Sequence, residues 1–222
     1  MAKSSTVAVF LEVGKKRTFA GAIDWPGWCR SGRDADAALE ALAEAGRRYG
    51  SALRGTRLGF EAPKGNPDFS IRERVKGDAT TDFGAPSREL KDDAAGVSER
   101  ELKRLSSFLR AGWRALDRAV AEAEGRELRK GPRGGGRSLE AIVRHVLEAE
   151  AGYLGALGWK TRAREAAQEI REEVIAGLRA SVAGEIPKRG PRGGKRWVPR
   201  YFVRRTVWHA LDHAWEIEDR AT

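Results

Sequence analysis

Residues 98–123, SERELKRLSSFLRAGWRALDRAVAEA, open the helical half of this 222-residue chain. Their large apolar residues recur every three or four positions, which is typical of a helix with one apolar face. Three further stretches show the same period: residues 138–157, 160–183 and 201–219. Four amphipathic helices of 19 to 26 residues are the components of a four-helix bundle. We therefore predict an all-α four-helix bundle over residues 98–222.

The connections between these helices bear on their directions. Gly158 marks a short joint between the second and third predicted helices, so we expect these two helices to be antiparallel neighbours. In a simple up-down-up-down bundle, the first and third connections lie at the same end. A connection of about 15 residues is also long enough to cross over to the other end.

The N-terminal 90 residues predict a different architecture. β-Favouring apolar residues occupy positions 6–12 and 18–24, and the glycine and basic residues between them suit a hairpin turn. Apolar residues at helical spacing follow over positions 34–49, with Asp34 as the N-cap. Positions 69–75 suit a further strand. We predict a small α+β domain over residues 1–90, which makes the whole chain an α+β protein.

Composition limits the class of protein. One Cys in 222 residues excludes a disulfide framework and a cysteine-rich metal cluster, and it favours a reducing compartment. No apolar run approaches the roughly 18 residues that a membrane span needs. The opening MAKSST is not followed by the apolar segment of a signal peptide. We therefore expect a cytoplasmic protein with no membrane partner.

The net charge of +10 is unevenly distributed along the chain. Residues 126–137 carry a net charge of +4 and residues 188–205 carry +8, so the rest of the chain has a net charge of −2. Both segments contain nearly the same glycine- and proline-rich word, GPRGGGR at 131–137 and GPRGGKR at 190–196, which predicts loops. Two basic loops on a near-neutral body favour guidance of a small anion over a grip on nucleic acid. Solvated loops without a ligand are the simplest alternative.

All three histidines of the chain fall in the helical half. His209 and His213 are four residues apart, which places their imidazoles one turn apart on one helix face. His145 lies about 10 Å along the second predicted helix and His209 about 15 Å along the fourth. If those two helices run parallel, the three imidazoles converge at similar height. Three neutral imidazoles can hold a divalent metal and leave a coordination position open for chemistry.

Carboxylates at helical spacing suit the orientation of these imidazoles, because a ligating histidine usually donates its second ring proton to a carboxylate or a carbonyl. Glu148 follows His145 by three residues, and Glu216 follows His213 by three. Asp212 is adjacent to His213. We therefore expect Glu216 and Glu148 to be the catalytic carboxylates, which orient ligands or move a proton. The alternative is that the three histidines are polar core or surface residues with no metal.

Two stretches, SLEAIVRHVLEAEAGYL at 138–154 and WHALDHAWE at 208–216, resemble the DinB/YfiT superfamily of metal-binding four-helix bundles. The shared marks are one histidine on the second helix and an HxxxH pair on the fourth. The resemblance covers about residues 98–222. It implies a relation to thiol-dependent enzymes that use bacillithiol or mycothiol, among them S-transferases and maleylpyruvate isomerase, and to many members with no known activity. It also implies three metal ligands: His145, His209 and His213.

A second set of residues comprises the hairpin, Pro26-Gly27, Cys29, Gly32 and the helix that begins near Asp34. This set resembles the HicB-like domain of toxin–antitoxin antitoxins. Trp28 separates Gly27 from Cys29, where a Pro-Gly-Cys word is usual, and no DNA-binding ribbon or helix-turn-helix follows. The resemblance therefore implies an accessory or binding domain rather than a complete antitoxin.

Two other chemical signals are weaker. Cys29 is a candidate nucleophile, but no histidine lies near it in the sequence, and a partly buried structural thiol is the commoner case. The glycines at 134–136 do not form a P-loop, because the word GxxxxGK[ST] occurs nowhere in the chain.

These features lead to two hypotheses. The first is a divalent-metal-dependent enzyme, a thiol-dependent transferase or isomerase or a hydrolase, with zinc, nickel or iron and a low-molecular-weight thiol. Its substrate is a small anionic molecule, bound by Arg204 or Arg205. The second is a non-catalytic binding protein that contacts a protein or nucleic-acid partner through the HicB-like half and the basic loops. Bundles of this kind often pair, so a homodimer is a further candidate assembly.

Overall fold

The computed structural model describes residues 6–63, 65, 67–130, 136–161, 163 and 166–221. The chain divides into two compact units, Met1–Asp92 and Asp93–Thr222. The first contains a four-stranded sheet and the second is helical, so the α+β fold class predicted for the whole chain is confirmed. Within the described residues, no helix is both long and apolar enough to cross a membrane.

The sheet of the first unit has four strands. They are β1 (Val7–Val13), β2 (Thr18–Ala22), β3 (Cys29–Gly32) and β4 (Phe69–Lys76). The spatial order is β3-β2-β1-β4, in which β1 and β2 form the predicted hairpin and β4 pairs parallel to β1. β3 was not predicted, because its sequence Cys-Arg-Ser-Gly has no alternation of apolar and polar residues.

The long helix of the first unit packs against this sheet. It is α1 (Ala35–Ala52), and the carboxylate of Asp34 caps it by accepting a hydrogen bond of 2.9 Å from the Ala37 amide. The predicted N-cap is therefore present. A short helix, α2 (Ala79–Phe83), and a 3₁₀ turn (Lys91–Ala94) follow β4.

The core of the first unit is aromatic. The indole of Trp28 stacks on Tyr49 and donates a 2.8 Å hydrogen bond to the carbonyl of Leu42. The Tyr49 hydroxyl donates one of 2.9 Å to the carbonyl of Pro26. Cys29 is 3% exposed, and all histidines lie beyond residue 92. The first unit therefore offers this thiol no imidazole base, which fits the structural alternative.

The second unit contains the four predicted helices. They are α3 (Glu99–Ala123), α4 (Leu139–Leu157), α5 (Ala167–Val182) and α6 (Pro199–Arg220). Ser98 and Ser138 cap α3 and α4 through their hydroxyl groups. The third helix begins seven residues later than predicted, at Ala167 instead of residue 160. Gly158 ends α4 in a left-handed conformation, with φ at 98°.

The ends of α6 fix its direction relative to two other helices. Arg200, at the start of α6, is ion-paired with Glu101 at the start of α3, so these two helices run parallel. Beside α4, the Trp197 amide donates to the carbonyl of Ala156 at 3.0 Å, and Arg220 donates to the carbonyl of Arg137 at 2.9 Å. The start of α6 therefore meets the end of α4, and the two helices run antiparallel.

The direction of α5 corrects the predicted topology. Arg171, near the start of α5, forms two hydrogen bonds of 2.6 and 2.8 Å with Asp117 near the end of α3. Arg179, near the end of α5, shares a cleft with Lys103 in the first half of α3. α5 is thus antiparallel to α3 and parallel to α4, so the predicted antiparallel pairing of the second and third helices is wrong. Nine residues, 158–166, can extend about 30 Å, which exceeds the roughly 24 Å length of α5.

The bundle therefore has an up-down-down-up order, and its two basic connections lie at opposite ends. The first follows α3 and meets the end of α6, whereas the second precedes α6 and meets the end of α4. The simple up-down-up-down order, which would place both connections at one end, is therefore not found. Residues 131–135 of the first basic segment lie outside the described residues.

A carboxyl group lies in the core of the bundle. Glu150 on α4 is 1% exposed, and its Oε1 accepts a 2.7 Å hydrogen bond from the indole of Trp113. No hydrogen-bond partner of Oε2 occurs among the described residues. Burial raises the pKa of Glu150 to about 7, against the opposing effects of the Trp113 hydrogen bond and the Arg171 charge, while Asp117 adds to the rise. Glu150 is thus a neutral acid over most of the acidic range.

The raised pKa of Glu150 predicts a pH-dependent stability. The folded state retains a proton that the unfolded chain loses above its pKa of 4.5, so this group lowers the free energy of unfolding as pH rises toward 7. The full loss is about 3 kcal/mol, from 1.36 kcal/mol per pKa unit. We expect Glu150→Gln, measured by urea unfolding in EDTA, to gain about this much relative to the parent between pH 4.5 and 8.

Glu148→Gln is the matched control, because its side chain is 65% exposed on the same helix. Glu150 is intact in this variant, so the pH dependence that Glu150 causes should be retained. Parallel pH profiles for Glu150→Gln and the parent would contradict the assignment of Glu150 as a buried acid.

Candidate metal centre

The three histidines of the chain meet within the bundle. His145 comes from α4, and His209 and His213 come from α6. Their ring centroids are 4.6 to 5.1 Å apart. One nitrogen of each ring lies within 4.8 Å of those of the other two, which is close enough for a shared metal ion.

The antiparallel pairing of α4 and α6 explains this convergence. His145 is 12 residues before the end of α4 at Leu157, or about 18 Å from it. From Pro199, at the adjacent start of α6, His209 lies about 15 Å away and His213 about 21 Å. His145 therefore faces the midpoint of the pair. The convergence was expected if α4 and α6 ran parallel. They run antiparallel, and this arrangement brings the three imidazoles together.

The distance between two of the imidazoles fits tetrahedral coordination. His145 Nε2 and His209 Nε2 are 3.3 Å apart. Two nitrogen ligands at 2.0–2.1 Å from a tetrahedral zinc ion are separated by about 3.3–3.4 Å. The two ring atoms already have the separation that a shared zinc ion requires.

A carboxylate orients the third imidazole. His213 Nδ1 lies 2.8 Å from Glu216 Oε2, and the other oxygen of Glu216 accepts a 2.5 Å hydrogen bond from Arg220. The hydrogen bond from His213 lowers the pKa of Glu216, and Arg220 lowers it further. An ionised carboxylate can only accept, so the ring proton of His213 resides on Nδ1. This leaves the lone pair of its Nε2 for a metal.

The other predicted carboxylates are placed differently. Glu148 is 65% exposed and lies 4.0 Å from Arg144. Among the described residues, no hydrogen bond joins Glu148 to an imidazole. Asp212 is half-buried on α6. The structure therefore brings Glu216, and not Glu148, into contact with the histidine cluster.

The surroundings of His145 and His209 favour the neutral form of these two imidazoles. Burial lowers the pKa of His209 well below its ordinary value, and the charge of Arg205 adds to the effect. Burial also lowers the pKa of His145, with a further contribution from Arg137. Neutral imidazole is the form that binds a metal. His209 Nδ1 is buried and has no hydrogen-bond partner among the described residues, so this ring lacks the orienting contact that His213 has.

The two candidate anion-binding arginines have different environments. Arg204 is 6% exposed and its guanidinium is ion-paired with Asp93. Arg205 lies one turn before His209, with its guanidinium 4.7 Å from the Trp208 ring and 5.4 Å from the Tyr153 ring. Its Nη1 atom is buried without a hydrogen-bond partner among the described residues. Arg205 therefore has an unused hydrogen-bond donor beside the cluster, whereas the guanidinium of Arg204 already binds a carboxylate.

Sequence reasoning missed one aromatic neighbour of the cluster. The ring of Tyr153 is 5.7 Å from His209 and 5.1 Å from Trp197. Tyr153 lies on the predicted helix of residues 138–157. Tyr153 follows His145 by eight residues, or about two helical turns, so both residues lie on the same helix face. This spacing could have predicted Tyr153 as a neighbour of the cluster.

We expect Glu216→Gln to weaken zinc binding by about 10- to 100-fold, because loss of an orienting carboxylate has this effect at histidine sites. Competition with a chromophoric chelator measures the affinity. Glu148→Gln is the control, since it removes an exposed carboxylate three residues from His145 that makes no hydrogen bond to the cluster; its affinity should change much less than that of Glu216→Gln. Equal affinities for both variants would contradict a role for Glu216 in orienting His213.

Comparison of the chain with protein-family models, with curated proteins and with solved structures found no match.

Proposed function

We propose that the second unit is a divalent-metal-dependent enzyme whose ion is held by His145, His209 and His213. The observation that carries this proposal is the 3.3 Å separation of two Nε2 atoms, which equals the ligand spacing of a tetrahedral ion. Two neutral atoms of this kind have no attraction for each other unless a proton or a cation lies between them. The lowered pKa values of His145 and His209 and the fixed tautomer of His213 support the same interpretation.

The chemistry of the site follows from its three nitrogen ligands. A divalent ion with three protein ligands has an open position, where it acts as a Lewis acid and favours the deprotonated form of a thiol or water. Zinc, nickel and iron all accept imidazole. The resemblance to the DinB/YfiT superfamily makes transfer to or from a low-molecular-weight thiol the leading reaction, with isomerisation and hydrolysis as related candidates.

The residues around the cluster have separate roles in this proposal. Glu216 holds the proton on His213 Nδ1 and thereby fixes the ring. Arg205 binds a carboxylate or a similar anionic group of the substrate with its guanidinium, since guanidinium and carboxylate form strong charge-assisted hydrogen bonds. Burial raises the pKa of the Tyr153 phenol, so its hydroxyl stays protonated and can donate to the substrate.

Metal content tests the ligand set. Protein purified without a histidine tag should contain, or bind on titration, about one equivalent of zinc, nickel or iron per chain. His145→Ala, His209→Ala and His213→Ala should each lose most of this metal, because two imidazoles bind far more weakly than three. Arg205→Gln should retain it. A parent protein without stoichiometric metal, or full retention by His209→Ala, would contradict the proposal and favour a non-catalytic binding protein.

Activity tests the reaction and the role of Arg205. The metal-loaded protein should accelerate the alkylation of bacillithiol, mycothiol or cysteine by iodoacetate, and EDTA should abolish the acceleration. Arg205→Gln should raise the KM for iodoacetate about tenfold and leave that for the neutral iodoacetamide unchanged, since a charge-assisted hydrogen bond is worth about one order of magnitude.

The two electrophiles differ only in the anionic group, which makes iodoacetamide the internal control for each variant. An equal rise in KM for both would assign Arg205 to the framework of the site instead of the substrate. An EDTA-resistant rate, or the same rate in His209→Ala, would exclude metal-dependent thiol transfer.

A further inference from the structure

A groove runs between α3 and α5 in the second unit. Two adjoining clefts of about 620 and 380 Å³ form it, and both are lined by Arg110 and Arg179. All of the side chains that line the two clefts belong to α3 and α5. The groove is therefore separate from the metal centre, whose histidines belong to α4 and α6. Both cleft volumes fall within the range of about 300–1,000 Å³ that is typical of small-molecule sites.

An ion pair crosses the groove at one level. Arg171 on α5 forms two hydrogen bonds of 2.6 and 2.8 Å with Asp117 on α3. Because the two helices are antiparallel, later residues of α5 lie opposite earlier residues of α3. Arg179 is eight residues after Arg171, or about 12 Å along α5. Arg110 is seven residues before Asp117, or about 10.5 Å along α3. Arg110 and Arg179 therefore face each other across the groove.

The two walls present like charges at this second level. Arg110 and Arg179 are exposed, and the exposed Arg114 follows Arg110 by one helical turn in the same cleft. Among the described residues, no hydrogen bond or ion pair involves any of these three guanidinium groups. Like charges one turn apart on a helix are destabilising. The arrangement is thus unfavourable for folding alone, and an anion between the walls removes the repulsion.

Both ends of the groove are electrically balanced by paired side chains. Asp117 is paired with Arg171 at one end, and Glu99 is paired with Lys103 at 2.8 Å at the other. Glu172, which follows Arg171, accepts a 2.5 Å hydrogen bond from a glutamine of the same helix. The uncompensated positive charge is therefore confined to the middle of the groove, within about two helical turns of α3.

The floor of the groove is apolar and held in place. Trp113 is 5% exposed, and its indole donates a 2.7 Å hydrogen bond to the buried Glu150. The guanidinium of Arg171 lies 5.6 Å from the centre of the Trp113 ring. Ile175 is buried in the same cleft. A cleft with charges of one sign above a floor of low dielectric constant focuses the electric field and attracts counter-ions.

From this arrangement we infer that the middle of the groove binds a small polyanion, whose adjacent phosphate or carboxylate groups are held by Arg110, Arg114 and Arg179. Guanidinium groups suit both kinds of anion, because their planar donors form paired charge-assisted hydrogen bonds with either. An extended acidic peptide fits less well, because it would also cover the carboxylate-bearing ends of the groove. Occupation of the site does not require the proposed enzymatic activity.

Isothermal titration of the full chain with pyrophosphate and with tricarballylate tests the inference, and their relative affinities identify the preferred anionic group. EDTA in the buffer prevents either anion from binding a metal ion at the histidine cluster, and salt at about 0.15 M screens exposed charges. At least one of the two should bind about tenfold or more tightly than acetate, which can engage fewer guanidinium groups. Failure of both to bind, or equal binding of acetate, would overturn the proposal.

Matched charge variants locate the site. Arg110→Gln/Arg179→Gln should weaken binding of the preferred anion about tenfold or more. Arg100→Gln/Arg118→Gln removes the same charge from exposed positions of α3 that do not line the groove, so it should have little effect. Arg205→Gln, beside the histidine cluster, should also retain binding. Equal losses in the two double variants would indicate general charge attraction, and a loss in Arg205→Gln would place the anion at the cluster; either result would contradict the proposal.

Charge reversal tests whether the two walls face each other as described. Arg110→Glu places a carboxylate opposite Arg179, in the same relation that Asp117 has to Arg171. It should abolish anion binding and raise the thermal unfolding temperature of the unliganded protein above that of Arg110→Gln. The new carboxylate also lies one turn from Arg114, so the comparison is repeated in the presence of Arg179→Gln, where the gain should be smaller. A gain that does not depend on Arg179 would contradict the facing positions.

An acidic peptide tests the competing partner. A polyglutamate peptide long enough to cover both ends of the groove should bind no more tightly than the preferred small anion, because it meets the carboxylates at those ends. Tighter binding of this peptide that is lost in Arg110→Gln/Arg179→Gln would overturn the proposal in favour of a protein-docking groove.

Discussion

The antiparallel pairing of α4 with α6 is the constraint on which the second unit depends. It is held at one end by the backbone hydrogen bond between Trp197 and Ala156 and at the other by the contact of Arg220 with Arg137. Because each helix rises about 1.5 Å per residue, these two contacts determine which residues face each other across the pair. They set His145 level with the interval between His209 and His213. They also place the residues that precede α6 at the end of the bundle remote from Arg137.

Much of the fold follows from local sequence signals, and the helix directions do not. The apolar period predicts all four long helices, and Ser98, Ser138 and Asp34 mark helix starts that the structure contains. Gly158 does end α4, but the chain then continues for eight residues before α5. The sequence around residues 160–166 is compatible with a helix, so the third helix was predicted to begin at residue 160. The predicted connection between the second and third helices was then too short for a crossover. Direction is set by contacts between distant residues, such as Arg171 with Asp117, and no local pattern encodes these.

The sequence predicts those contacts of the candidate site that form within one helix. The four-residue spacing of His209 and His213 and the three-residue spacing of His213 and Glu216 are properties of one helix, and both produce the contacts that were expected. Glu148 has the same spacing from His145, yet it faces solvent, because the orientation of α4 in the bundle and not the spacing decides which side is covered. The difference between Arg204 and Arg205 is of the same kind: adjacent residues on a helix point about 100° apart, so one meets Asp93 and the other meets Tyr153.

The parallel pairing of α3 with α6 also affects how quickly the bundle can form. Glu101 and Arg200 are 99 residues apart in the chain, and α6 buries residues on nearly all sides when it docks. Closing so long a segment has a large entropic barrier, and folding rates decrease as contacts become more distant in sequence. This bundle should therefore fold more slowly than an up-and-down bundle of the same size. Until α6 docks, the apolar faces of α3 and α4 remain exposed, which lengthens the interval in which the chain is open to aggregation.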